Sequence, residues 1–96
     1  MSAYIVFQRV KTIDQDSLDR YTANVSASFQ DRDVQFLAAY GEQETLEGPA
    51  TEGTVILQFP DMASAREWYK SDAYQNAAKY RFAGSEYNAT LVKGRS

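Results

Sequence analysis

Residues 59–75 read FPDMASAREWYKSDAYQ, and the way this stretch stops and restarts decides the fold. Pro60 cannot donate to a strand ladder and closes the apolar run before it. Asp61 is placed to accept the first free N–H groups of a helix, and Met62, Ala65, Trp68 and Tyr69 then recur at helical spacing. At Lys70-Ser71-Asp72 the pattern pauses. Ser71 is a second N-cap, Asp72 suits the positive end of the next helix dipole, and Tyr74, Ala77, Ala78, Arg81 and Phe82 make a second stripe. The spacing predicts a helix broken at Ser71 with its aromatics packed into the core at the break.

Working outward, residues 54–59, TVILQF, are apolar on both faces, with Val55, Leu57 and Phe59 opposite Ile56. Residues 4–10, YIVFQRV, share that property: Tyr4, Val6 and Val10 face one way, Ile5 and Phe7 the other. Between these two strands, Asp14 or Asp16 caps a helix over residues 15–29, striped by Leu18, Tyr21, Thr22, Val25 and Phe29. VQFLAAYG, residues 34–41, reads as a second strand, and EQETLEGPATEG as a loop. The chain ends on a fourth strand, residues 87–93, with Tyr87, Ala89 and Leu91 on one face.

The order is βαββαβ. It predicts a single α+β domain over residues 1–96 with a ferredoxin-like antiparallel sheet and both helices on one face. The first and third strands lie centrally in that plan, and the helices cover only one of their two apolar faces. A second copy of the same sheet is the expected cover for the other, giving a homodimer paired through sheet faces.

Composition narrows the chemistry. With no cysteine and no histidine among 96 residues, disulfides, thiolate catalysis, thiolate-held zinc, a Ser-His-Asp triad and imidazole bases are excluded. No metal site and no cofactor are expected, because the acidic residues form no calcium-loop pattern. A net charge of −3 with scattered Lys and Arg predicts no nucleic-acid partner. No apolar run approaches the roughly 20 residues of a membrane helix, so no membrane partner and a cytoplasmic location are expected.

Three pieces of the sequence resemble the domain of unknown function 1330 family: Leu46-Glu47-Gly48, the strand ending at Phe59-Pro60, and Ala65-Arg66-Glu67-Trp68-Tyr69-Lys70-Ser71-Asp72-Ala73-Tyr74-Gln75 followed by Arg81. Asp14, Tyr21 and the tyrosine-bearing first strand fit as well, so the resemblance spans nearly the whole chain. It implies a dimeric α/β-barrel protein built from ferredoxin-like domains and no settled activity. Two places depart from the family pattern: Asp33-Val34 stands near a usual Gly-Gly pair, and Glu52-Gly53-Thr54 where an arginine commonly precedes the third strand.

The candidate site residues are Arg81, Glu47, Tyr21, Tyr69 and Tyr74. Arg81 lies on the apolar stripe of its helix, and an inward guanidinium calls for a carboxylate, from the protein or from a ligand. Glu47, which resembles the family's loop glutamate, is the first protein candidate, and a structural Arg–Glu tie between loop and helix is the competing reading. The three tyrosines either line a small polar pocket between helices and sheet or pack the core with one satisfied hydroxyl each. Trp68 is assigned to the core. The expected function is small-molecule binding by a homodimer, and the alternative is a non-catalytic protein whose one strong property is self-association.

Overall fold

The computed structural model describes residues 2–95. Strand β1 spans Ala3–Thr12 and helix α1 spans Gln15–Val25, followed by a 3-10 turn over Ser26–Phe29. Strands β2 (Gln35–Ala39) and β3 (Gly53–Phe59), helices α2 (Met62–Lys70) and α3 (Asp72–Gly84), and strand β4 (Ser85–Lys93) complete the chain. The sheet runs β2-β3-β1-β4, with every neighbouring pair antiparallel, which is the ferredoxin-like arrangement expected above.

The register explains which faces are buried. Ile5 pairs with Leu57 and Phe7 with Val55 on β3, and the same residues pair with Leu91 and Ala89 on β4. Because side chains alternate along a strand, this set shares the face on which Ala3, Ile5, Phe7, Leu57 and Phe59 are buried. Trp68, Tyr74, Ala65 and Ala78 close over it from the helices. Tyr4, Val6, Ile56 and Val92 lie on the opposite face, away from the helices.

The break at Ser71 is built as the sequence predicts. Asp61 accepts a hydrogen bond from the Ser64 amide at 2.7 Å, which caps α2. Ser71 Oγ accepts from the Tyr74 amide at 3.2 Å to cap α3 and donates to the Trp68 carbonyl at 2.7 Å, closing α2 with the same group. Replacing Ser71 by alanine removes both bonds, and a stability loss of about 1 kcal/mol is expected by thermal or urea unfolding.

The structure departs from the sequence reading in several places. The helix expected over 15–29 stays α-helical only to Val25, then tightens. Ser28 Oγ donates to the Val25 carbonyl at 2.6 Å and accepts from Trp68 Nε1 at 3.1 Å, so the core tryptophan holds the tightened turn. Strand β4 begins directly at Ser85, with no loop after α3. Phe82 is 55% exposed and leaves the buried stripe of α3, where Tyr74, Ala77, Ala78 and Arg81 remain.

Candidate functional site

Helix α1 crosses the covered face of the sheet and leaves a cleft of about 130 Å³ between itself, β2 and the centre of the sheet. Its walls are largely aromatic. Phe29 stacks on Trp68 at 5.1 Å between centroids and meets Phe36 edge-on at 4.9 Å, while Phe7, Tyr21, Tyr40 and Tyr87 line the remainder. No acidic side chain lines this cleft.

Polar groups gather at one end. Tyr21 and Tyr74 hydroxyls lie 3.2 Å apart, and Tyr40 and Tyr87 hydroxyls 2.5 Å apart. Arg81 from α3 is only 4% exposed, and its guanidinium carbon lies 5.2 Å from the Phe7 ring centre and 4.8 Å from those of Tyr87 and Phe82. Phe7 and Tyr87 therefore form both the wall of the cleft and the cradle of the cation. Among the described residues, Arg81 Nε has no hydrogen-bond partner. Ring faces stabilise a cation by about 0.5–2 kcal/mol each, which does not replace the hydration that burial removes.

Burial raises the ionisation range of Tyr21, Tyr40 and Tyr74 above that of a free phenol. For Tyr21 the neighbouring Tyr74 adds to the rise, and for Tyr40 the hydrogen bond with Tyr87 does. The Arg81 charge opposes the rise at all three. At neutral pH these hydroxyls are protonated donors.

A pH dependence follows. Below the ordinary phenol range near pH 10 both folded and unfolded chains hold these protons, so the contribution to stability is complete. Above it the unfolded chain loses protons that the folded chain keeps. Stability is expected to fall by up to about 1.4 kcal/mol per pH unit for each of Tyr21 and Tyr74, and by less for the half-exposed Tyr40. Urea unfolding between pH 8 and about 11 checks this, and Tyr74→Phe is expected to flatten the decline.

Of the residues singled out from sequence, Arg81, Tyr21 and Tyr74 come together. Glu47 does not join them. It sits exposed in the loop between β2 and β3, beside Gln8, Val10, Thr54 and Asn88. Those strand residues belong to the uncovered face, so the sheet itself separates Glu47 from Arg81, and the expected pair is not formed within the protomer. Tyr69 is also set apart. Its ring packs on Tyr74 at 5.3 Å but lines a different depression, with Ile5, Arg66, Lys70 and Leu91.

Tyr40 is the site residue hardest to find from sequence. Its backbone takes the left-handed conformation, φ 58°, which is uncommon outside glycine. This turns the ring back over Gly53, where an added Cβ would stand 2.5 Å from Tyr40 Cδ1. Arg9 covers the other side at 5.1 Å from the ring centre and is itself paired with Glu52 at 3.1 Å. Thr12 Oγ1 also donates to Glu52, and this bond is the main reason its carboxyl titrates below the usual range. No group of three or more Asp, Glu, His or Cys able to hold a metal occurs among the described residues.

A family model described as Domain of unknown function (DUF1330) matches residues 2–95. No curated protein sequence matches the chain. Among solved structures, a protein of unknown function from Rhodopseudomonas palustris is similar, with a TM-score of 0.75 at 15% identity over 99% of this chain and 83% of that one. A dimeric ferredoxin-like protein of unknown function from Jannaschia sp. CCS1 has a TM-score of 0.70 at 8% identity, covering 98% of this chain and all of that one (100%). SnoaB, a cofactor-independent oxygenase from Streptomyces nogalater, has a TM-score of 0.62 at 12% identity over 99% of this chain and 94% of that one. At these identities the likeness is one of fold.

Proposed function

The chain belongs to the family described as Domain of unknown function (DUF1330), and we propose that it is a homodimeric protein binding a small molecule in the cleft between α1 and the sheet. The observation that carries this reading is Arg81: a buried cation whose Nε has no partner, held against the wall of an aromatic cleft. A buried N–H left without an acceptor by its own protein is stabilised when a ligand supplies one.

Binding is favoured over catalysis by the state of the polar groups. Tyr21, Tyr40 and Tyr74 are held protonated, and the cleft lining contains neither carboxylate nor imidazole to take a proton. An oxygenase that needs no cofactor has a similar fold, and likeness of fold alone does not carry its catalysis to this chain.

Pairing uses the other side of the sheet. Tyr4, Val6, Ile56 and Val92 form an apolar strip bordered by Gln8, Thr54 and Gln58, and a second copy buries it. Solved neighbours that are dimeric ferredoxin-like proteins support self-association. The helix-side cleft stays open in such a pair.

Native mass spectrometry of gently purified protein tests both parts. A dimer carrying a reproducible small-molecule mass is expected, with that mass absent from Ala39→Phe, in which a ring fills the cleft mouth. A monomer would overturn the pairing, and an adduct kept in full by Ala39→Phe would overturn the placement of the ligand.

A further inference from the structure

We infer that the ligand of this cleft is a small aromatic carboxylate, with its ring among the cleft's aromatic side chains and its carboxylate on Arg81. The inference rests on the binding reading above and deepens it by naming the ligand class. Size is the first argument. A cleft of about 130 Å³ is close in size to the roughly 150 Å³ apolar cavity that accepts a benzene molecule and well below the roughly 300 Å³ at which drug-sized pockets begin. One ring fits, with its substituent reaching past Phe7 and Tyr87 towards the guanidinium.

Shape is the second argument. Phe29 and Trp68 are nearly parallel, with 12° between ring planes, and Phe36 stands edge-on to Phe29 at 71°. A planar ring continues this packing through offset or edge contacts. A flexible aliphatic chain would lose rotamer freedom on entering so small a space.

Charge is the third. Behind Phe7 and Tyr87, two residues of the cleft wall, stands one buried guanidinium with an unused N–H, and no acid lines the cleft. A carboxylate matches the guanidinium fork in charge and geometry, and neutralises it one for one. A phosphate would bring nearly two charges to a single cation. The nearest further arginine along the tyrosine row, Arg9, is already engaged by Glu52 at 3.1 Å. Of the hydrogen-bonded Tyr21 and Tyr74 hydroxyls one donates to the other, which leaves one O–H as an additional donor to a carboxylate oxygen.

Isothermal titration of the intact wild-type protein with benzoate, its neutral isostere benzamide, and phenyl phosphate is the test. Benzoate is expected to bind at least roughly tenfold more tightly than either of the others, as a charge-assisted contact with a buried partner requires. Arg81→Met is expected to erase the preference for benzoate over benzamide, and Arg81→Lys to keep a part of it, because the charge remains while the fork is lost. Benzamide binding as well as benzoate would overturn the carboxylate and leave the cleft reading standing. Phenyl phosphate binding more tightly than benzoate would overturn the choice of a monoanion. If none of the three bound, and none displaced a molecule carried through purification, the carboxylate would fall whether or not that molecule proved to sit in the cleft. The wild-type comparison decides the question even if Arg81→Met fails to fold.

Discussion

Trp68→Ala is expected to destabilise the protein by about 3–5 kcal/mol, enough to leave much of a small domain unfolded at physiological temperature. Trp68 is fully buried at the centre of the aromatic cluster. Its ring stacks on Phe29 at 5.1 Å, tilts against Tyr74 at 4.1 Å and Phe59 at 5.6 Å, and meets Phe7 edge-on at 6.3 Å. These neighbours come from β1, β3, α3 and the turn after α1, so they cannot collapse together into the space that alanine would leave. The loss of the indole N–H also removes the donor to Ser28 Oγ, which holds the tightened turn. Thermal unfolding followed by circular dichroism should show a melting temperature lower by roughly 12 °C or more. A change below about 1 kcal/mol would mean that the cluster is not the centre of the core.

Arg81→Met is expected to act in the opposite direction, raising the stability of the ligand-free protein by about 1–2 kcal/mol while abolishing recognition of an anion. The cation is buried with its Nε unpartnered, so replacing it by an apolar chain of similar length removes a desolvation cost of several kcal/mol. Contacts with the rings of Phe7, Phe82 and Tyr87 offset part of that cost in the wild type, which is why the net gain is modest. The two measurements are a thermal melt of ligand-free protein and titration with benzoate. A fall in stability would point instead to a structural tie, in which removal of one partner strands the other. The coupling of higher stability to lost binding separates a site from a scaffold.

Much of the fold is legible in the sequence because local signals agree with tertiary ones. Pro60 and Asp61 end a strand and cap a helix by local chemistry alone, and Ser71 divides α2 from α3 through its own side chain. Two-sided apolar patterns marked the central strands β1 and β3, and the sheet order places them there. The 3-10 turn at Ser26–Phe29 was less legible, since it depends on Trp68 reaching Ser28 across 40 positions of sequence. Phe82 shares the spacing of its helix stripe but falls beyond the edge of the sheet's cover, a matter of where α3 lies and not of its period.

The site was legible only in part. Arg81, Tyr21 and Tyr74 could be placed because helical spacing puts each on an inward face. The pairing of Glu47 with Arg81 could not be judged from spacing, because the β2–β3 loop can fold to either face of the sheet and here runs to the uncovered one. Tyr40 gave no local signal at all. A tyrosine with φ 58° beside a strand end is set by its packing on Gly53 and its hydroxyl contact with Tyr87, both distant in sequence. Glu52 acquires its role through Arg9 and Thr12. That contact fixes the arginine whose side chain covers Tyr40.

The most direct test of the central claim is a two-dimensional amide NMR titration of the labelled protein with an equimolar mixture of benzoate, benzamide and benzylamine. The expected result is a set of shifts confined to the surroundings of Tyr21, Tyr40, Arg81 and Tyr87. Shifts gathered instead around Gln8, Thr54 and Asn88 on the uncovered face, or none anywhere, would contradict a binding cleft between α1 and the sheet.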